Sequence, residues 1–257
     1  KQIRGPFNLS INEECGLLVE GFDTPPFIMM GHARNYYQSR IEAAGYTKAK
    51  DLLAYAGNPD IELSPVVQRL LRGSGKHVTV RKFRRKQLKE ELEILRDIFN
   101  DSWSGNWGFT PFTAAEFKDV GELITMLIDD DYIQIAEIDG RPVAMFVAVP
   151  DINQAAQDLR GRLLPFGWLK LLWRMKVRYP TRARSMLMGV RKEYQSKRLG
   201  PVLALMVIDQ ARQALVRRNI DEVEMSWILE DNEGMKSISD QLGAVVTKRY
   251  RIFEKSL

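Results

Sequence analysis

Between Met188 and Leu205 an apolar stretch ends in Gly189-Val190, crosses the polar turn Arg191 to Gly200 and enters a helix-forming run at Pro201. A strand that stops in such a turn and opens a helix aims several unpaired backbone N–H groups at one point, backed by the helix dipole. An anion such as a pyrophosphate binds at a place of this kind. Lys192, Lys197 and Arg198 would add positive charge around it. The same residues also suit a plain strand-to-helix connection with solvated basic side chains. Further on, Glu224, Ser226 and Glu230 alternate along an apolar run, which puts them on one face of a strand. A glutamate in a partly apolar cleft has its pKa raised towards the range of a general base. Glu224 or Glu230 is the candidate for that role, against a reading in which both are surface or structural acids.

These residues need a scaffold, and its elements are legible from periodicity. His77 to Phe83 alternates as a short strand, and Leu88, Leu92, Leu95 and Phe99 recur at helical spacing. A second helix is expected from about Thr113 to Ile128. Tyr132 to Ile138 and Val143 to Val149 are apolar runs separated by Asp139-Gly140, a strong hairpin signal. An irregular stretch from Pro150 to Thr181 precedes a strand at about Ser185 to Val190. The long helix at Pro201 presents Val202, Leu205, Met206, Ile208 and Leu215, with the proline suited to the first helical position. A strand at Glu222 to Leu229, a short helix from Met235 to Leu242 ended by Gly243, and a strand at Val245 to Phe253 complete the series. The order predicts a mixed α/β fold, a mostly antiparallel sheet flanked by helices.

Composition narrows the function classes. The chain has 257 residues, 45% hydrophobic and 28% charged, as in ordinary globular proteins. Its net charge of +5 is spread along the chain rather than gathered in a stripe, which argues against nucleic-acid binding. No run reaches the ~18 apolar residues of a membrane span, so a membrane partner is not expected. The single Cys15 suits a reducing cytoplasm, and with only His32 and His77 beside it no metal site is expected. Oligomer formation is left open.

The second part of the chain, about Lys76 to Leu257, resembles the GCN5-related N-acetyltransferase (GNAT) superfamily. Val190-x-x-x-Tyr194-Gln195-x-x-Arg198-x-Gly200 is similar to that family's acyl-CoA pyrophosphate loop. Glu230-Asp231-Asn232, followed eleven residues after Asn232 by Gly243, resembles the end of its fifth strand and the helix beyond. The order of elements also matches. The resemblance implies acetyl-CoA or another acyl-CoA as co-substrate. Met188, Val190, Gln195, Ser196, Lys197, Arg198, Leu199, Gly200, Pro201 and Asn232 would hold it, and an amine of a small molecule or a protein would attack the thioester directly. A backbone N–H of about Met188 to Val190 would polarise the carbonyl. Three departures stand against it: Arg198 in place of the first loop glycine, Pro201 in place of an amide donor, and Ser239 where the family has its general-acid tyrosine. Arg198 would either pair with phosphate or crowd it. The alternative reading is a non-catalytic scaffold that has lost its catalytic residues.

Phe27 to Met30, Asn35-Tyr36-Tyr37, Gly45 and Leu52 to Tyr55 echo the last quarter of the chain. Met30 lies 15 residues before Gly45, and Leu229 lies 14 before Gly243. Residues 1–75 are therefore expected to be the tail of one module, closed by a linker at Arg69 to Lys76, with 76–257 a complete second module. Only 44 residues precede Gly45, too few for a complete first copy, so the chain is expected to lack the start of that module.

Two further stretches are candidates for substrate contact. Trp103, Trp107, Phe109 and Phe112 lie in a glycine-broken loop that in this superfamily borders the acceptor pocket. Trp103, Trp107 and Ser226 are the candidate substrate contacts, although such aromatics more often pack a loop down. Leu163 to Arg174 is apolar with basic flanks; Trp168 and Trp173 fit one buried side of a helix that covers the sheet, with a membrane surface or a long acyl chain as alternatives.

Overall fold

The computed structural model describes residues 1–73 and 77–257. In chain order the elements are β1 (Gln2–Gly5), β2 (Leu17–Glu20), α1 (Tyr37–Ala43), β3 (Thr47–Gly57), α2 (Pro65–Gly73), β4 (Val78–Lys82), α3 (Leu88–Trp103), α4 (Ala114–Leu127), β5 (Ile133–Ile138) and β6 (Arg141–Pro150). They continue with α5 (Ile152–Ala156), α6 (Gly167–Lys176), β7 (Arg182–Val190), α7 (Lys192–Gln195), α8 (Leu199–Arg217), β8 (Glu222–Leu229), α9 (Glu233–Gln241) and β9 (Val245–Ser256). The strands form one sheet in the order β1-β9-β3-β8-β7-β6-β5-β4, with β2 also on β9. Every pairing is antiparallel except β7 with β8.

Local chemistry explains the elements that were legible. Asp139 and Gly140 both take positive φ, 49° and 80°, as the β5–β6 hairpin demands. Thr113 and Glu116 form a reciprocal capping box at the start of α4. From Val143 to Pro150 every residue of β6 is buried, as a strand covered on both faces must be. The cover comes from α3 with α4 and from α8, which packs on β5, β6 and β7. Helix α8 is long and apolar enough to cross a membrane, yet ten of its residues are buried in this core.

The N-terminal part is not set apart from the rest. Strand β3 lies between β8 and β9, and its 11 residues bond to both. The expected tail of a separate module thus supplies a central strand of the same sheet. The helix–glycine–strand echo is present, since α1, Gly45 and β3 correspond to α9, Gly243 and β9, and both glycines have positive φ. The two echoing strands pair antiparallel with each other. Phe27 to Met30, the first piece of that echo, is a turn rather than a counterpart of strand β8, and Phe27 and Met30 are buried in it. A second apolar cluster, including Ile11, Cys15, Leu18, Phe27, Leu52 and Tyr250, seats this segment on the sheet. Of the expected linker, Arg69 to Gly73 ends helix α2, while residues 74–76, and with them the 75/76 boundary, lie outside the described residues.

Candidate active site

Strands β7 and β8 pair only from Arg182 to Ser185 with Glu222 to Met225. Beyond that point both strands bulge. Met186 is an extra residue in the β6–β7 ladder, and Ser226-Trp227 faces one residue too few on β3. Bulges turn a strand, and these two at one level open a cleft of about 440 Å³ between the separated strands. Met188, Val190, Gln195, Gly200, Pro201 and Asn232 line it, as do Trp103, Trp107 and Ser226. Nine residues expected from sequence are thereby brought together.

The cleft-side edge of β7 carries free amides. Trp103 Nε1 donates to the Met188 carbonyl at 2.9 Å, and Gln195 Nε2 donates to the Val190 carbonyl at 2.8 Å. Both carbonyls therefore point away from β6. In extended backbone a residue's N–H points to the same side as its C=O, so the N–H groups of Met188 and Val190 also face the cleft. Two donors so placed can polarise a carbonyl oxygen.

The turn above the cleft is tighter than its composition implies. The Lys197 N–H donates to the Tyr194 carbonyl, and the Gly200 N–H to the Lys197 carbonyl. No side chain caps α8, so Arg198 and Leu199 offer the free amides among the described residues of the turn. Gly200 is required here: a Cβ would stand 2.5 Å from the Tyr194 carbonyl oxygen. Pro201 is the third helical residue rather than the first, still inside the turn whose N–H groups lack partners. Ser196, Lys197 and Arg198 are exposed on the turn and Leu199 packs on the core, so these four do not line the cleft. Arg198 leaves the cleft open. Asn232 caps α9, its Oδ1 accepting from the Met235 N–H.

The two candidate bases part company. The extra residue at Ser226-Trp227 reverses the alternation of β8, placing Glu224 and Glu230 on opposite faces. Glu230 sits outside the cleft, where it pairs with Lys48 and accepts from the Asp51 N–H. Glu224 is 0% exposed, and its Oε1 accepts from Ser226 Oγ at 2.5 Å. Burial pushes its pKa up, against the opposing Ser226 hydrogen bond and the charges of Arg184 and Lys248. The other oxygen, Oε2, has no partner among the described residues.

Arg184, which sequence reasoning missed, organises this corner. It donates through Nε to Ser226 Oγ at 2.8 Å and through its other nitrogens to the carbonyls of Ser226, Ile28 and Met29. The signal available was an arginine just ahead of the apolar run Met186 to Met188, within the strand-forming stretch that ends at Val190. Arg184, Ser226, Trp227 and Trp103 also line a second, apolar cavity of about 80 Å³ that runs between α3 and α4. The N-terminal segment closes it with Asn12, Glu13 and Met29. Phe109 and Phe112 pack on Phe99, as loop anchors do. Ser239 is buried, donates to the Met235 carbonyl and does not reach the cleft.

An edge of backbone N–H groups, a serine backed by a buried carboxylate and an adjoining apolar cavity suit transfer of an acyl group. No family model matches the sequence. Protein YghO of Escherichia coli is 51% identical over 257 residues, which is 100% of this chain and 66% of that protein. A bacterial ceramide synthase of Caulobacter vibrioides is 42% identical over 254 residues, 98% of this chain and 66% of that protein. The chain thus spans 66% of the length of these curated relatives. A GCN5-related N-acetyltransferase from Sphaerobacter thermophilus superposes with a TM-score of 0.55 at 15% identity, covering 86% of this chain and 56% of that one. The mixed, mostly antiparallel sheet that opens between its two parallel strands is the fold of the GCN5-related N-acetyltransferases.

Proposed function

We propose that the chain is an acyl-CoA-dependent N-acyltransferase whose acceptor is the amine of a long-chain amino alcohol. The observation that carries this is the position of Ser226, which lines both the cleft and the apolar cavity while donating to Glu224. An acyl-CoA would lie along β7 with its thioester carbonyl at the N–H groups of Met188 and Val190, and its diphosphate at the turn before α8. A serine hydroxyl is one donor and two acceptors. Ser226 Oγ gives its proton to Glu224 and accepts from Arg184, which leaves one lone pair for an incoming ammonium. The ammonium proton passes to Ser226 as the serine proton passes to Glu224, and the free amine attacks the carbonyl. A new C–N bond forms, the C–S bond breaks, and CoA leaves as thiolate.

Among the residues lining the cleft no tyrosine is present to protonate that thiolate, so a proton from the acylated nitrogen, returned by solvent, completes the step. The acceptor class rests on the ceramide synthase likeness and on the apolar cavity that begins at the reacting corner. It moves the expected acyl group from acetyl towards a fatty acyl chain. We infer a cytoplasmic setting, where acyl-CoA is made and Cys15 stays reduced. Incubation with acetyl-CoA or palmitoyl-CoA and sphinganine, followed by thiol release and mass spectrometry of the amide, tests this reading. Binding of CoA without thiol release would support the non-catalytic scaffold and overturn it.

A further inference from the structure

The connection between β6 and β7 carries an apolar face that the described residues leave about half exposed or more. Sequence periodicity assigned Trp168 and Trp173 to a buried side of this segment, and the structure corrects that. Leu164 and Phe166 are 81% and 71% exposed, and Trp168, Leu169, Leu172 and Trp173 are between 45% and 52% exposed. On α6 the last four recur at i, i+1, i+4 and i+5, a single stripe along the helix. The helix is anchored from behind by Met175, which is buried, and by Arg174, which donates to the Ala155 carbonyl. A continuous apolar surface of this kind on a folded chain marks an interaction site.

Charge decides what it meets. Arg160, Arg162, Lys176 and Arg178 are exposed around the stripe, and no acid occurs from residue 159 to 181. The nearest acid in sequence, Asp158, is paired with Lys170 and Arg174. Asp129, Asp130 and Asp131, which line a cavity together with Lys176, are paired with Arg218, Arg85 and Arg217. A second copy of the chain would set cations against cations across the interface. Tryptophan and leucine ringed by unopposed cations instead match the headgroup region of a bilayer rich in anionic lipid.

We propose that residues Leu163 to Arg178 form an interfacial docking element that seats the protein on an anionic lipid bilayer. The stripe enters the acyl boundary and the four cations meet lipid phosphates. The element lies at the start of β7, the end opposite the cleft, so docking leaves the cleft accessible.

Flotation with vesicles of phosphatidylcholine, alone or mixed with phosphatidylglycerol, tests the idea without any measurement of turnover. The protein is expected to float with the mixed vesicles at low salt and to be released as salt rises. The double variant Trp168→Glu/Trp173→Glu should lower partitioning by roughly tenfold or more. Should that pair fail to fold, Leu164→Ser/Phe166→Ser lies outside the helix and should give the same loss. Absence of flotation at low salt, equal flotation by a folded variant, or a tryptophan-dependent dimer that ignores vesicles would each overturn the proposal.

Discussion

Ser226 Oγ donates to Glu224 Oε1 at 2.5 Å, in an interior where Glu224 is wholly shielded from solvent. A hydroxyl that reaches two cavities is thereby coupled to a carboxylate that reaches neither. In the proposed mechanism Glu224 is the proton acceptor, so Glu224→Gln should reduce turnover by roughly a hundredfold or more. Ser226→Ala should match it, with acyl-CoA affinity unchanged in both by calorimetry. Glu230→Gln should leave turnover within about twofold, because Glu230 lies outside the cleft, where it pairs with Lys48 and accepts from the Asp51 N–H.

The pH profile should carry the mark of the same carboxylate. Glu224 must be ionised to accept a proton, and burial raises its pKa above the ordinary carboxylate value of about 4.3. The rate should therefore rise with pH through a point above that value. The acid limb of kcat/KM read for the wild type should vanish in the residual activity of Glu224→Gln.

Asp51 joins β3 to β9. Burial alone would raise its pKa, but hydrogen bonds from Arg251 and Lys48 outweigh it and hold the carboxyl below the usual range. Arg251 bonds at 2.7 and 3.0 Å. A depressed folded-state pKa means stability that is present above the unfolded value of about 3.9 and lost as pH falls through the folded one. Asp51→Ala breaks this buried cluster at a cost of about 3 kcal/mol at neutral pH. Denaturant melts of both forms should draw together as the pH falls below the ordinary carboxylate value and the folded-state carboxyl takes up its proton.

Gly200→Ala puts a methyl group into the backbone of Tyr194 and Gln195 rather than against a movable side chain. Displacing the α7 turn should cost about 1–3 kcal/mol and weaken acyl-CoA binding, read by thermal melting and titration of CoA.

Trp103→Phe keeps the ring stack with Phe99 and Trp227 but removes the donor to the Met188 carbonyl. A loss of about 1 kcal/mol in stability is expected from denaturant unfolding.

Local signals in the sequence determined the β5–β6 hairpin, the capped α4 helix, the Gly243 turn and the strand–turn–helix of the candidate site. Each is decided by residues close together in the chain: positive φ at Asp139-Gly140, a side chain at Thr113 reaching Glu116, a glycine after a helix. Only the tertiary structure placed β3 between β8 and β9, because that pairing joins residues about two hundred positions apart and no local preference encodes it. It also decided which glutamate lies beside Ser226 and which pairs with Lys48, since one extra residue at Ser226-Trp227 reverses every later side chain on β8. And it left Trp168 and Trp173 facing outward: periodicity shows that a helix has an apolar side, but the neighbouring elements decide what that side meets.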